Sequence, residues 1–188
     1  MRSELGLPLP NELMVIFGPH AGATMMLDLA ARLAICGPLY ILDCGNRSDM
    51  YYVARVLRPL TFDPAAMLKN IRLSRAFTCY QVFSLVERTQ TQGGSPILIL
   101  DLLNTFMDES VRVDESMLLF EKTLRCITSA SRFAPIVVSV KPLLSISNPR
   151  LVLLTLLKKC ASQVWEDLSL FPGGNAMTQL SFFDLDRR

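Results

Sequence analysis

The chain has 188 residues, enough for one domain with a core of its own. Hydrophobic residues make up 51% and charged residues 19%, which leaves two readings: strands buried on both faces, or a large apolar surface covered by a partner. The net charge of +2 excludes any argument for nucleic acid from bulk charge, and five cysteines with no C-x-x-C pair and a single histidine exclude a recognisable zinc framework.

In chain order, residues 1–12 read as a leader carrying two prolines, and 13–188 as a single domain. Leu13–Phe17 reads as an apolar strand and Ala23–Ile35 as a helix. Leu39–Asp43 is a short buried strand ending in an acid, and Asp49–Leu57 has helical spacing. Thr61–Pro64 reads as a loop, Ile71–Ala76 as a strand and Tyr80–Thr91 as a helix. Gln92-Gly-Gly-Ser-Pro96 is turn chemistry. Ile97–Asp101 is a second apolar strand ending in aspartate. Thr105–Asp114 is a polar, acidic loop, Glu115–Phe133 a long amphipathic helix, Pro135–Val140 a buried strand and Leu151–Lys159 a helix. Gln163–Phe171 and Ala176–Leu185 flank Pro172-Gly-Gly-Asn175, which predicts a terminal β-hairpin or tail over 171–188. Strand–helix alternation with continuous apolar strands predicts an α/β fold with a mostly parallel sheet covered on both faces. The N-terminus lacks an apolar signal core, and the longest apolar runs fall far short of the roughly 20 residues that span a bilayer. A cytoplasmic protein with reduced thiols is the expectation.

Val15-Ile-Phe-Gly-Pro-His-Ala-Gly-Ala-Thr24 sits between the first strand and the first helix, where an ATPase carries G-x-x-x-x-G-K-[ST]. In a working phosphate loop, glycine N–H groups cradle phosphates, the lysine reaches the β/γ-phosphates, and the Ser/Thr hydroxyl holds Mg²⁺. Gly18, Gly22 and Thr24 are present here, Ala23 stands in the lysine position, and only three residues separate the glycines. The bland alternative is an ordinary strand-to-helix turn whose glycines serve backbone geometry.

Three segments, within roughly residues 12–170, resemble the RecA/RadA recombinase ATPase core. Ile16-Phe-Gly-Pro-His-Ala-Gly-Ala-Thr24 is similar to the family's I-F-G-x-x-x-x-G-K-T. Phe62-Asp-Pro-Ala-Ala-Met-Leu-Lys-Asn-Ile-Arg-Leu-Ser-Arg-Ala-Phe77 resembles L-D-P-x-x-x-L-x-N-I-x-x-A-R-A and is the most specific of the three. Pro96-Ile-Leu-Ile-Leu-Asp101, with the helix and strand that follow, resembles the Walker B region. The resemblance implies a RecA-like P-loop core. It also implies that the family's catalytic glutamate falls at Gly45 and its nucleotide-sensing pair at Val140-Lys141. With a cationic donor and a water-orienting carboxylate both gone, the expectation is a pseudo-ATPase with no catalytic residues and no metal, for which Mg-ATP is a doubtful cofactor. The degenerate nucleotide site would comprise Gly18, Gly22, Ala23, Thr24, Asp101 and Lys141.

Two readings stand for other features. Asp43 and Asp101 are either structural acids or remnants of a metal site. Arg58, Lys69, Arg72 and Arg75 are either a solvated edge or, with Lys141 and Arg150 in one of the family's DNA-loop regions, contacts to DNA or a partner. Gln179-Leu-Ser-Phe-Phe183 resembles the pentapeptide that docks bacterial repair proteins on the sliding clamp. Gln179, Leu180, Phe182 and Phe183 would carry that contact, unless they form the last hairpin strand. The functional expectation is a non-hydrolysing scaffold or mediator in recombination and repair. Its partners would be a recombinase, polymerase or repair factor, or further copies of itself. The alternatives are a nucleotide switch or slow ATPase, and a clamp-docked accessory of translesion synthesis.

Overall fold

Leu13–Phe17 (β1), Leu39–Asp43 (β2), Ile97–Leu100 (β4) and Ile136–Val140 (β5) are apolar at nearly every position, as strands covered on both faces must be. The computed structural model of the chain describes residues 12–89, 94–142, 149–167 and 177–180. With Ile71–Arg75 (β3), Gln163–Asp167 (β6) and Met177–Leu180 (β7), these strands form one sheet in the order β3-β2-β4-β5-β1-β6-β7. The pairings from β1 to β6 are all parallel, and β7 lies antiparallel to β6.

Alternate strand residues enter two separate cores. Met14, Ile16, Ile41, Leu98, Leu100 and Val137 pack with Ala23–Cys36 (α1) and Met50–Leu57 (α2) on one face. Val15, Leu42, Ile99, Val138 and Val140 pack on the other with Cys79–Thr89 (α4), Val113–Ser131 (α5) and Leu151–Cys160 (α6). At the centre of the second core, the Phe106 and Phe120 rings meet edge to face, with centroids 5.1 Å apart. The result is the expected parallel α/β sandwich, consistent with a Rossmann- or P-loop-like arrangement.

The helix after β1 and the helix after β2 lie on the first face, whereas the helices after β3, β4 and β5 lie on the second. The connections therefore part in opposite directions between β1 and β5, and again between β2 and β4. In open parallel sheets, crevices at the carboxyl ends of strands form at such points.

Some local expectations are corrected. The segment expected as a loop over 61–64 leads directly into a short helix, Pro64–Leu68 (α3). Asp63 caps it by accepting from the Ala66 N–H, and Pro64 occupies the first turn, where its missing N–H costs nothing. The loop expected over 105–114 contains a 3₁₀ turn at Asn104–Met107, and α5 starts at Val113 rather than Glu115. Of the five free cysteines, Cys44 and Cys79 are buried, Cys126 is partly buried, and Cys36 and Cys160 are exposed. Residues 1–11 of the expected leader, Gln92 and Gly93 of the expected 92–96 turn, and the 172–175 turn of the expected hairpin lie outside the described residues. Among the described residues, no helix is long and apolar enough to cross a membrane.

Candidate functional site

The carboxyl ends of β1, β5, β4 and β2 converge on one rim. Gly18 follows β1 and donates its N–H to the Val140 carbonyl at the end of β5 (3.2 Å). Gly18 itself is extended, at φ −170° and ψ 170°. His20, Ala21 and Gly22 then run left-handed, at φ 51°, 56° and 55°. Such angles are unfavourable for residues with a Cβ, by about 1–2 kcal/mol each. Only glycine fits at position 22, because a Cβ there would stand 2.9 Å from Ile16 Cγ2. Ala23 opens α1 with no side-chain cap, and Thr24 is exposed on the first turn. The first-turn N–H groups of α1 point out of its N-terminus. Ala21 is fully buried and His20 exposed, so the loop presents a methyl group to the interior and the imidazole to solvent.

Two strands away, Asp101 follows β4 at φ 53° and is 1% exposed. Its N–H donates to Ser139 Oγ (3.2 Å), and its Oδ1 accepts the Lys141 N–H (3.3 Å). Its Oδ2 pairs with Arg47 Nε at 3.3 Å. Asp43 ends β2, also 1% exposed, and is more heavily tied. Oδ1 accepts from the N–H groups of Gly45 (3.3 Å) and Arg47 (2.8 Å). Oδ2 accepts from Ser48 N (3.0 Å) and Ser48 Oγ (2.5 Å) and lies 3.4 Å from Arg75 Nε. Burial pushes the Asp43 carboxyl up, but the hydrogen bonds from the Ser48 hydroxyl and from the Arg47, Ser48 and Gly45 N–H groups outweigh it and hold the group below the ordinary carboxylate range. Burial also pushes the Cys44 thiol far up, so it is inert between the two acids.

Gly45 joins these clusters. A Cβ there would lie 2.5 Å from Asp101 Cβ and 2.6 Å from Asp101 Oδ2. The position that the resemblance assigns to a catalytic glutamate is therefore filled by the neighbouring aspartate, and no side chain of any kind fits. Each buried carboxylate faces one guanidinium, so the rim is charge-compensated from within the chain. Among the described residues, no group of three or more His, Cys, Asp or Glu could hold a metal ion.

The other expected site residues divide. Gly18, Gly22, Ala23 and Thr24 lie together at the β1–α1 junction, and Asp101 and Lys141 meet through the Lys141 backbone while the Lys141 side chain is exposed. Arg75 reaches the site, bonding Ser48 Oγ (3.0 Å) and lying 3.4 Å from Asp43 Oδ2, with its side chain 43% exposed. Arg72 does not reach it. It lies over the Tyr40 ring and donates to Tyr40 Oη at 2.9 Å. Arg150 was expected at a DNA or partner surface, yet it is 4% exposed and donates to the Val111 carbonyl. Gln179 and Leu180 are ladder residues of β7, opposite Trp165 and Val164, whereas Phe182 and Phe183 lie outside the described residues.

Arg47, Ser48 and Ser139 escaped the sequence reading. The signal available was a basic residue and a hydroxyl four and five positions after a strand-ending aspartate, and a lone serine inside an otherwise apolar strand.

No protein-family model matches this chain, and no match was found among curated proteins.

Proposed function

We propose that the chain is a catalytically degenerate RecA/RadA-like paralogue, a non-hydrolysing scaffold or mediator that works in DNA recombination and repair through protein contacts. One observation carries the reading: both strand-end aspartates at the loop-bearing rim are matched by guanidinium groups of the same chain, and Gly45 admits no side chain beside Asp101. Phosphoryl transfer needs preorganised positive charge on the phosphates and a carboxylate that orients water. Ala23 supplies a methyl group where the first is required, and the second has no space. The residues present do not fit a hydrolysing Mg–nucleotide complex, because the Asp101 carboxylate already pairs with Arg47.

A module of this kind acts by shape and contact. The test has two arms. Purified protein with millimolar Mg-ATP is expected to show no phosphate release above buffer, and steady release abolished by Asp101→Asn would overturn the pseudo-ATPase reading. Proximity labelling in the native cell is expected to recover recombination or repair proteins. A set of neighbours without them would overturn the assignment to repair and leave the first arm standing.

A further inference from the structure

The sheet edge opposite to the rim, where the strands begin, has a surface of its own. Leu13, Leu39, Ile71, Ile97 and Ile136 start their strands within one residue of one another in register. Each crossover between parallel strands returns the chain to that edge, so α1, α5 and α6 end there and the stretch from α2 to β3 reaches it. Two bonds draw the nearer pieces together. Asn70, just before β3, donates its side-chain N–H to the Ala34 carbonyl near the end of α1 (2.8 Å), and the Thr61 N–H returns to the Leu57 carbonyl at the end of α2 (3.1 Å).

This edge leaves large apolar side chains in water. Phe62 is completely exposed and Phe133 67% exposed, and Ile35 and Leu60 are exposed beside Phe62 in the α1–α2 layer. Arg58, Lys69, Arg132 and Lys159 are exposed at the same helix ends, and none is in an ion pair among the described residues. Asp63 and Glu87 are the exposed acids there, and Asp63 is engaged as the cap of α3. Glu12, half-buried, accepts from the Gln163 side chain. Cations at helix C-termini complement the helix dipole, which accounts for the charges. It does not account for the phenylalanines and aliphatic side chains standing among them.

A side chain that lines a groove is partly covered by the groove's walls, and Phe62 is covered by nothing. Phe62 and Phe133 also belong to opposite helical layers, so no single cleft for a peptide joins them. Single-stranded nucleic acid calls for a cationic groove with aromatic platforms, to which Ile35 and Leu60 contribute nothing. A bilayer needs neither groove nor register. Apolar side chains projecting singly from a cationic edge enter the boundary between headgroups and acyl chains, while the cations meet anionic headgroups.

We propose that this edge docks peripherally on an anionic lipid bilayer, with Ile35, Leu60, Phe62 and Phe133 entering the interface and Arg58, Lys69, Arg132 and Lys159 held by the headgroups. Docked in this way, the chain turns the rim with Asp43 and Asp101 away from the membrane. The assignment rests on the opposite edge and is independent of the fate of the nucleotide loop.

The test is flotation of the full chain with vesicles of phosphatidylcholine alone, and of phosphatidylcholine and phosphatidylglycerol in equal parts. Binding is expected to the anionic vesicles only, and to fall as salt is raised. Arg58→Glu with Lys69→Glu, and Arg132→Glu with Lys159→Glu, are each expected to weaken it by more than about tenfold. Phe62→Ala with Phe133→Ala is expected to weaken it by about tenfold. Thermal unfolding is expected to stay unchanged in all three, because every substituted side chain is exposed. Brominated acyl chains, which quench an indole that enters the bilayer, read the orientation. Phe62→Trp is expected to be quenched on anionic vesicles, whereas Phe77→Trp, exposed past the other end of β3, is not; the native Trp165 contributes equally to both. Absence of binding to the anionic vesicles would overturn the proposal, as would binding that leaves the Phe62→Trp protein unquenched. Oligothymidylate binding that requires Phe62, in place of vesicle binding, would also overturn it and assign the edge to nucleic acid.

Discussion

Gly45→Ala is the smallest perturbation that tests the geometry of the rim. The added Cβ would meet Asp101 Cβ at 2.5 Å, Oδ2 at 2.6 Å and Cγ at 2.9 Å. Ordinary carbon contacts are optimal at about 3.5–4.0 Å, so the overlap is about 1 Å. Asp101 cannot swing aside freely. Its N–H is held by Ser139 Oγ, and its carboxylate by the Lys141 N–H and Arg47. Overpacking costs about 1–3 kcal/mol, and disturbing hydrogen bonds to a buried carboxylate adds about 1–2 kcal/mol. Against this, alanine restricts the unfolded chain and returns about 0.4–1 kcal/mol. The clash wins, for a net loss of about 3 kcal/mol and a fall in Tm of roughly 6–12 °C. Urea unfolding measures it. The decisive control is Asp101→Gly, which removes the Cβ and suits the left-handed φ of 53°. In that background, adding Gly45→Ala is expected to cost less than about 1 kcal/mol, so that the double-mutant cycle returns a coupling of about 2 kcal/mol or more. A Gly45→Ala protein as stable as wild type, or a cycle with no coupling, would refute the placement of Asp101 against this glycine.

Four further outcomes can be measured. Arg47→Met leaves Asp101, with a side chain only 2% exposed, without its cation. It is expected to cost about 2–3 kcal/mol by urea unfolding, less than for a fully buried pair because Arg47 is 26% exposed. Arg75→Met is expected to cost under about 1 kcal/mol. That side chain is 43% exposed and solvent-screened, and Asp43 keeps its four hydrogen bonds from residues 45–48. Phe120→Ala, which empties a fully buried site against Phe106, is expected to cost about 3–5 kcal/mol by the same measurement. The Asp43 carboxyl is depressed in the folded state, so its contribution is complete above the unfolded value of about 3.9 and is lost as pH falls through the lower folded value. Acid titration of stability is expected to lose part of its slope below about pH 4 in Asp43→Asn, and an unchanged slope would contradict the depressed value.

Periodicity carried most of the fold. Apolar runs at β1, β2, β4 and β5 identified strands covered on both faces, because a doubly covered strand must be apolar at consecutive positions. The α3 helix was missed because five residues are too few for a helical period to show, although Asp63-Pro64 carried the cap and first-turn signal. At the candidate site, the loop and the strand-end acids were legible as types of residue. Their partners were not. Arg47 meets Asp101 across 54 positions only because β2 and β4 are neighbours in space though not in sequence order. Arg150 looked like a surface cation because the resemblance puts it in a DNA-loop region, and only tertiary packing places its guanidinium against the Val111 carbonyl.

The internal pairing at the rim also bears on stability. Without its partners the rim would hold two carboxylates, each 1% exposed. Taking an ion from water into a protein interior costs several kcal/mol after relaxation, so two uncompensated acids would be a heavy burden on a fold whose total stability is about 5–15 kcal/mol. The chain answers with Arg47, Arg75 and the Ser48 hydroxyl, all from loops or a strand end that meet the rim from the β2–β3 side. Those groups make the rim self-sufficient. Any metal ion or nucleotide entering it would have to displace a guanidinium from a carboxylate, so the contacts that stabilise the fold also oppose binding there.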